Sequence, residues 1–415
     1  MKNSSKTKIL YIGPIPPEVG GQSTGGIATH VWQLATQAAK RGYKVYILAN
    51  TAQSLRVDEV QVISLPKRSK LLKAFCGLKS YLVNRDKIES LNFLGLKERI
   101  GLFYRAQVLK DVLRNIKPDL IHIHSLLNRD TLSLSVFKNC PHIVITDHGI
   151  GVVYNYETFE EFDIKDKNKL QKKLREASKT ASYIISVSDF SKDQLLKVFH
   201  FPDNIRIKAI LNPVDVAKLQ LLNKEEVKKN LGFENKKVVF FSGVHNPIKK
   251  KGLDILLKAF DSNDYLRREC KLLVVTKGEA VTFAQNFIKD KNIDGVILEP
   301  QPWEKLVKYY NAADVFVLPS RTEGIGLVYE EALLAGVPVV GFPESIRELE
   351  HLLGIYIGEK FDASREDEKA LAEKIIKVLN TGFDRELMRK KVIENLSWDA
   401  KFSEFDSVYK EVLRV

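Results

Sequence analysis

Residues 8–48 read KILYIGPIPPEVGGQSTGGIATHVWQLATQAAKRGYKVYIL, and this stretch decides the fold. Its first apolar run, 8–12, predicts a strand, and the glycines and prolines of 13–21 predict a loop. From Ile27 onward apolar residues recur at helical spacing, and a second apolar run follows at 45–48. A strand–helix–strand unit of this kind predicts a parallel sheet with right-handed crossovers.

The same alternation of strands and helices continues along the chain. Further strands are predicted at 119–124, 142–146, 183–187, 207–211, 237–241, 272–275, 296–298, 315–318 and 337–341. Two doubly wound α/β domains joined near residues 213–235 account for this pattern. Ligands of such sheets bind beyond the carboxyl ends of the strands, so the expected site is a cleft between the two domains.

Composition and cysteine usage indicate a soluble globular protein. The 415 residues are 44% hydrophobic and 28% charged, which excludes a disordered chain, a collagen-like fibre and a disulfide-rich miniprotein. Cys76, Cys140 and Cys270 lie far apart without CxxC spacing, which favours a reducing cytosol and no thiolate metal site. No apolar run approaches the roughly 20 residues needed to span a bilayer, and the polar start does not resemble a signal peptide. We expect a cytoplasmic protein, with peripheral attachment to the inner face of the cell membrane left open.

The net charge of +13 is unevenly distributed. Residues 60–118 hold thirteen Lys and Arg against four Asp and Glu, a surplus of +9. Within them, residues 67–82 predict a basic helix with one apolar face, formed by Leu71, Phe75, Leu78 and Leu82. Such a helix either contacts an anionic membrane surface or covers the sheet with its apolar stripe and leaves its lysines in solvent. Nucleic acid is not an expected partner, because no recognised binding module is present.

One segment after a predicted strand carries most of the candidate chemistry. Residues 319–332 read PSRTEGIGLVYEEA and follow the strand at 315–318. Gly324 and Gly326 allow a close approach of the backbone to a ligand. A helix predicted to begin at about Leu327 would then offer free N–H groups to a phosphate.

Two carboxylates flank that predicted helix start. Glu323 lies in the loop, and Glu331 lies eight residues later, about two turns into the helix. Carboxylates accept hydrogen bonds from sugar hydroxyls, so the pair suits the sugars on either side of a diphosphate. The alternative is a glycine turn followed by an exposed helix glutamate. Spacing alone does not distinguish Glu330 from Glu331.

The E-x7-E spacing of Glu323 and Glu331 lies within PSRTEGIGLVYEEALLAGVPVV, which resembles the donor-site signature of the retaining glycosyltransferases of family 4. Other segments resemble the family in the same order: GGIATHVWQLATQAAKRGYKV, DLIHIHS, TDHG, IISVSDFSKDQL, ILNPVD, KKKGLDILLKAF, LVKYYNAADVFVLPS and SWDAKFSEFDSVYKEVL. The resemblance spans nearly the whole chain and implies the GT-B fold. It implies an acceptor-binding domain at 1–213, a donor-binding domain at 214–397 and a C-terminal segment, 398–415, that packs back on the first domain.

The resemblance also implies roles for residues of the donor site. Glu331 resembles the residue that holds the nucleotide ribose, and Glu323 the residue that contacts the donor sugar. Gly25 and Gly26 resemble a glycine pair that faces the donor phosphate; a plain turn is the alternative. Backbone N–H groups that bind the diphosphate or the sugar are expected at Ile325, Gly326, Leu327 and Val328.

A lysine and a preceding glycine complete the implied donor site. Lys251 resembles the lysine that neutralises the leaving diphosphate, and a fixed cation suits the charge that builds there. Many relatives carry an arginine directly after the glycine that corresponds to Gly243, but here the residue is Val244. Nearby cations that are candidates to replace it are His245, Lys249 and Lys250. The alternative is a solvated basic loop.

Three histidines lie on or directly after predicted strands of the first domain. His148 lies at the end of the strand predicted at 142–146. By resemblance it contacts the donor sugar or shapes the acceptor side; a structural role is the alternative. His122 and His124 are predicted to point to one face of the sheet. We expect no metal there, since no third ligand is close in sequence and the resemblance implies none.

Taken together, the resemblance implies retaining transfer of a hexosyl group from a nucleoside diphosphate sugar, with uridine the favoured base, and no other cofactor. The expected acceptor is a sugar or a lipid-linked glycan of the cell envelope. Two alternatives stay open. The chain is a catalytically silent partner of another transferase, or it is another GT-B enzyme such as a sugar-nucleotide epimerase or a phosphorylase.

Overall fold

Parallel strands covered by helices form two separate units in the computed structural model. One unit comprises Met1–Ile210 and Phe402–Val415, and the other comprises Leu211–Lys401. The residues that the structure describes are 6–23, 25–66, 69–83, 91–135, 141–150, 167–199, 201, 205–244 and 247–414. Cys140 lies outside them, whereas Cys270 is a buried thiol.

The first unit contains an eight-stranded sheet in the order β3-β4-β2-β1-β5-β6-β7-β8. Its strands are β1 (Lys8–Ile12), β2 (Lys44–Ala49), β3 (Leu55–Val57), β4 (Val60–Ser64), β5 (Leu120–His124), β6 (His142–Asp147), β7 (Tyr183–Ser186) and β8 (Arg206–Ala209). The helices are α1 (Gly26–Lys40), α2 (Lys70–Val83), α3 (Leu96–Ile116), α4 (Arg129–Leu134), α5 (Lys167–Ser178) and α6 (Asp189–Val198). β3 runs antiparallel to β4, and the other pairings among the described strands of this sheet are parallel.

The central strands of this sheet are buried on both faces. β1 and β5 are almost entirely buried, as continuous apolar runs in a covered parallel sheet are expected to be. The pairing is in register, with Ile9 opposite Val45 on one side and Leu120 on the other. The chain reverses its winding direction between β1 and β5, so this is the switch point at which ligands are expected.

The second unit contains a six-stranded parallel sheet in the order β11-β10-β9-β12-β13-β14. Its strands are β9 (Lys237–Ser242), β10 (Cys270–Val275), β11 (Gly295–Leu298), β12 (Val315–Leu318), β13 (Val339–Gly341) and β14 (Gly358–Lys360). The helices are α7 (Lys224–Leu231), α8 (Leu253–Ser262), α9 (Asp264–Glu269), α10 (Glu279–Asp290), α11 (Trp303–Ala312), α12 (Leu327–Leu334), α13 (Pro343–Leu353), α14 (Glu368–Leu379) and α15 (Arg385–Leu396). The winding reverses between β9 and β12, which lie side by side.

The last helix, α16 (Trp398–Leu413), begins in the second unit and ends in the first. Its Tyr409 hydroxyl lies 3.1 Å from the Tyr11 hydroxyl and 2.8 Å from Nδ1 of His122. The Tyr43 hydroxyl donates to Asp406 of α16 at 2.6 Å. These buried and half-buried bonds attach the end of the chain to β1, to β5 and to the residue before β2.

The two doubly wound α/β units confirm the fold class predicted from the sequence. The prediction omitted the β3–β4 pair and β14. Within the described residues, no helix combines the length and the hydrophobicity needed to cross a bilayer.

Candidate functional site

The loops after β9 and β12 carry the candidate residues of the second unit. Because these strands are neighbours in a parallel sheet, their carboxyl ends lie at one edge, and the loops emerge side by side. The loop after β9 contains Gly243 and Lys251, and the loop after β12 contains Glu323. These three residues therefore lie on adjacent loops.

Lys251 and Glu323 form an ion pair between those loops. Nζ of Lys251 donates to Oε1 of Glu323, and the Ser320 hydroxyl donates to the same oxygen at 2.9 Å. The Glu323 side chain is only 8% exposed and that of Lys251 18%. Two donors to one oxygen fix the orientation of the buried Glu323 carboxylate. The same ion pair holds the Lys251 ammonium next to that carboxylate.

Glycines make this approach of the two loops possible. Gly252 has φ +75°, and a Cβ there would lie 2.0 Å from the carbonyl oxygen of Pro319. Gly243 is buried, and a Cβ on it would lie 3.4 Å from Cγ of Lys251. Glycine at 252 therefore allows both the left-handed backbone conformation and the close contact with the loop after β12.

A second ion pair fixes the same two loops and was not predicted from the sequence. Both terminal nitrogens of Arg321 donate to Asp254 in the first turn of α8, at 3.0 and 3.2 Å. Arg321 also pairs with Glu366 at 2.8 Å. Its charge is thus compensated within the protein, and its position indicates that it orients the loops rather than serving as an available cation.

The candidates for the missing arginine remain predictions. Nζ of Lys249 lies 3.0 Å from Asp254 and its side chain is 66% exposed, so it is turned toward that carboxylate. The backbone carbonyl of Lys250 accepts from the Arg321 N–H at 2.8 Å. His245 lies outside the described residues, and Val244 before it is half-buried.

The helix start after Glu323 is confirmed. α12 begins at Leu327, and its N-cap Gly326 has φ +80°. A Cβ on Gly326 would lie 2.9 Å from the Tyr329 ring and 3.8 Å from the carboxyl carbon of Glu323. The Glu323 carboxyl is therefore close to the first N–H groups of the helix, which have no acceptor within the helix. Ile325 is buried, and Gly326, Leu327 and Val328 are half-buried.

Glu331 lies nearer to the helix start than predicted. It follows Leu327 by four residues, about one turn, so the predicted position two turns into the helix is wrong. The two-turn figure counted all eight residues after Glu323, but the first three of them, Gly324 to Gly326, belong to the loop. The Tyr310 hydroxyl donates to Oε2 of Glu331 at 2.6 Å, and burial raises the pKa of this carboxyl to about 7. Tyr310 comes from α11 and was not predicted from the sequence as a partner of Glu331.

The two adjacent glutamates, Glu330 and Glu331, differ in burial. Glu330 is fully buried, whereas Glu331 is half-buried. Burial and the neighbouring Glu331 carboxyl raise the pKa of Glu330 well above its usual range. Of the two carboxylates, Glu331 is therefore the more exposed.

In the first unit, His148 follows β6 and lies beside other histidines. Its Nε2 is 3.2 Å from Nδ1 of His124, and its ring centroid is 5.5 Å from those of His124 and His30. Burial lowers the pKa of His148 to about 4, so the imidazole is neutral at physiological pH. Asp147 before it accepts the backbone N–H groups of Gly149 and Ile150, which fixes the turn.

His122 and His124 share one face of the sheet, as predicted. Their ring centroids lie 4.6 Å apart. His122 uses both ring nitrogens within the protein, with Tyr409 at 2.8 Å and the Thr146 hydroxyl at 2.7 Å. Among the described residues, no three His, Cys, Asp or Glu side chains converge in a way that suits a metal ion.

Gly25 and Gly26 begin the helix that carries His30. Gly25 is the N-cap of α1 with φ +113°, and α1 starts at Gly26. His30 lies one turn further and its ring contacts the rings of His124 and His148. The glycine pair and His148 are therefore attached to one packed cluster in the first unit.

A cavity of about 200 Å³ opens beside the switch point of the same unit. It is lined by the ends of β1 and β2, by the loop after β1, and by polar side chains near α4. One wall is the ion pair between Arg105 and Asp130, in which Nη2 lies 2.7 Å from Oδ2. Another is formed by Asn50, which donates to Gln22 at 3.0 Å. Such polar walls suit a hydroxylated ligand.

Two family profiles match consecutive parts of the chain. The one described as Glycosyltransferase Family 4 matches residues 24–218, and the one described as Glycosyl transferases group 1 matches residues 223–396. A relative from Corynebacterium diphtheriae, D-inositol 3-phosphate glycosyltransferase, is 24% identical over 96% of this chain and 92% of its own.

Solved structures align with nearly the whole length of the chain. Sucrose-phosphate synthase from Thermosynechococcus elongatus superposes with a TM-score of 0.73 at 17% identity, covering 99% of this chain and 100% of that one. The Anabaena protein Alr3699/HepE, solved in complex with UDP-glucose, superposes with a TM-score of 0.71 at 16% identity, covering 97% and 99%. At these identities the likeness establishes the fold.

Proposed function

The chain belongs to glycosyltransferase family 4, and from that premise we propose that it moves a hexosyl group from a nucleoside diphosphate sugar to an acceptor hydroxyl with retention at the anomeric carbon. One observation carries the proposal. The Lys251–Glu323 ion pair lies beside the N-terminus of α12, at the ends of adjacent parallel strands. A cation, a carboxylate and free helix N–H groups together suit the diphosphate and the sugar of such a donor.

In the proposed reaction the bond between the anomeric carbon and the phosphate oxygen breaks, and negative charge builds on the leaving diphosphate. The Lys251 ammonium and the first N–H groups of α12 stabilise that charge because they are fixed before the reaction. Glu323 holds Lys251 and has a second oxygen that suits a hydroxyl of the donor sugar. No divalent ion is required in this scheme, so EDTA is expected to leave the rate unchanged.

Retention follows if the acceptor oxygen attacks the anomeric carbon on the face that the diphosphate leaves. The acceptor proton then passes to the departing phosphate oxygen, so protons and charge balance without a further base. We assign to His148 a neutral contact with the donor sugar, since its imidazole is uncharged near pH 7. Gly25 and Gly26 supply the N-terminus of α1 to the donor phosphate in this scheme.

We propose uridine as the base of the donor and Glu331 as the residue that binds its ribose. Support for uridine comes from the structural neighbour solved with UDP-glucose. Support for the ribose role comes from the half-buried Glu331 carboxyl, whose Oε2 is held by Tyr310. The other oxygen suits the two adjacent ribose hydroxyls.

Donor binding is expected to depend on the ionisation of Glu331. Because the pKa of Glu331 is raised to about 7, protonation below that pH removes the acceptor for the ribose hydroxyls. The KM for the donor should be constant above about pH 8 and rise about tenfold per pH unit below about pH 6. Tyr310→Phe removes a bond that lowers this pKa, so the rise should begin at a higher pH. In Glu331→Gln, KM should be high and independent of pH; a flat wild-type profile would contradict the ribose role.

We propose a sugar or lipid-linked glycan of the cell envelope as acceptor, met at the inner face of the cell membrane. The 200 Å³ polar cavity of the first unit has room for part of a sugar and offers both donors and acceptors. The surplus of +9 in residues 60–118 favours an anionic acceptor or surface.

A thermal-shift screen over nucleotide sugars tests the donor proposal. A saturating donor at about 100 times its dissociation constant should stabilise the protein by about 2.7 kcal/mol and raise Tm by roughly 5–10 °C. The free nucleoside diphosphates are then compared, and the one that still raises Tm identifies the base of the donor. NMR of the product with that donor then gives its anomeric configuration. A product of inverted configuration would overturn retention, and no shift with any nucleotide sugar would overturn the donor site.

A further inference from the structure

The apolar stripe of α2 faces solvent. Leu71, Phe75, Leu78 and Leu82 recur at intervals of four, three and four residues, which places them on one face of the helix. Their exposed fractions are 84, 68, 43 and 47%. The interpretation in which this stripe covers the sheet is therefore wrong, because large apolar side chains that covered it would be buried.

The opposite side of α2 packs on α3. Gly77 is the buried residue of α2, and a Cβ on it would lie 2.4 Å from the carbonyl oxygen of Ile100. The Tyr81 ring lies 5.6 Å from the Phe103 ring, and the Arg99 guanidinium lies 5.8 Å from the centroid of the Tyr81 ring. The helix is thus anchored by one face while the apolar stripe is presented outward.

Positive charge accompanies the stripe. Lys70, Lys73 and Lys79 are exposed on α2, and residues 69–83 contain no Asp or Glu. Lys67, which also belongs to the predicted basic segment, lies outside the described residues. An exposed patch of large apolar side chains, on a helix with three exposed lysines and no acids, is complementary in charge to an anionic lipid surface.

We propose that α2 lies in the headgroup layer of an anionic membrane, with Leu71, Phe75, Leu78 and Leu82 inserted among the acyl chains. A second copy of the chain is the less suitable occupant. A symmetric contact through this face would bring the same lysines of both copies together without acids to neutralise them. An anionic lipid layer accommodates the lysines and the apolar stripe at once.

Co-sedimentation with vesicles tests the proposal on the full chain. Binding to phosphatidylcholine vesicles containing phosphatidylglycerol should exceed binding to pure phosphatidylcholine by roughly 100-fold, given three lysines near the surface. The excess should decline as salt is added, because screening shortens the range of the attraction. Equal, negligible binding to both kinds of vesicle would overturn the proposal.

Two variants separate the contributions of the stripe and of the charge. L71S/F75S should lower binding to the anionic vesicles by at least about tenfold. K70Q/K73Q/K79Q should reduce that binding to the level of neutral vesicles. The matched control is L196S/L387S, because Leu196 and Leu387 are also exposed leucines, 48% and 40%, away from α2. A loss in L71S/F75S no larger than in this control would overturn the proposal.

Self-association is measured on the same proteins by sedimentation velocity. A stable dimer that L71S/F75S dissociates, without vesicle binding by the wild type, would assign the face to a second copy and overturn the membrane proposal. Neither measurement uses a donor or an acceptor. Failure of the membrane proposal is therefore distinct from failure of the proposed transfer reaction.

Discussion

Lys251→Ala should lower kcat for donor turnover by about 100- to 1000-fold, the range found when one fixed stabiliser of developing negative charge is removed. Lys251 is the cation that the structure holds at Glu323, on the loop beside the start of α12. Without the Lys251 ammonium, the negative charge that builds on the leaving diphosphate is less stabilised. The KM for the donor should change less than kcat, because the charge is greatest in the transition state.

The matched control for this prediction is Lys249→Ala. Lys249 lies on the same loop and also forms an ion pair, but its side chain is 66% exposed and its partner Asp254 keeps both bonds from Arg321. Because its ammonium is turned toward Asp254, Lys249 is the least suited of the three candidates for the missing arginine. We therefore expect kcat within about threefold of wild type and little change in Tm. Melting curves of both variants show whether the fold is retained. Equal effects at residues 249 and 251 would contradict the assignment of Lys251.

Gly252→Ala should destabilise the second unit by about 3 kcal/mol or more, with a fall in Tm of roughly 10 °C. Two costs add at this residue. Alanine is strained at φ +75°, and its Cβ would lie 2.0 Å from the carbonyl oxygen of Pro319. Relief of that contact requires the loop after β12 to move, which also displaces Glu323 from Lys251. Activity should therefore be lost even below the melting temperature.

Gly354→Ala isolates the backbone cost. Gly354 has φ +66°, but no atom of the described residues lies within 4 Å of where its Cβ would be. This variant should lose only about 1–2 kcal/mol and keep full activity. Calorimetry of the two variants gives the difference directly. Equal losses of stability would show that the contact of Gly252 with Pro319 is not tight in solution.

Local patterns were enough to predict most of the sheet strands and the start of α12. Both depend on apolar runs and on glycines close in sequence, and these decide the local structure here. β3 was missed because it is only three residues long and none of its residues is buried. Strand β14 is equally short, so no alternation marks it.

The side chains that support the site were not predictable in the same way. Arg321 meets Asp254, 67 residues away, and Tyr310 meets Glu331, 21 residues away on another helix. Such pairs depend on which loops and helices become neighbours in the fold. The orientation of the α2 stripe was undecided for the same reason, since an amphipathic pattern does not identify what the apolar face contacts.

Donor turnover by wild type and Glu323→Ala is the most direct test of a nucleotide-sugar transferase whose donor site includes Lys251 and Glu323. The measured quantity is nucleoside diphosphate released from a panel of nucleotide sugars, with and without a membrane-derived acceptor extract. We predict release from at least one donor by the wild type and a loss of about 100-fold or more in Glu323→Ala, because Lys251 loses its partner. No release from any donor, or release unchanged in Glu323→Ala, would contradict the account.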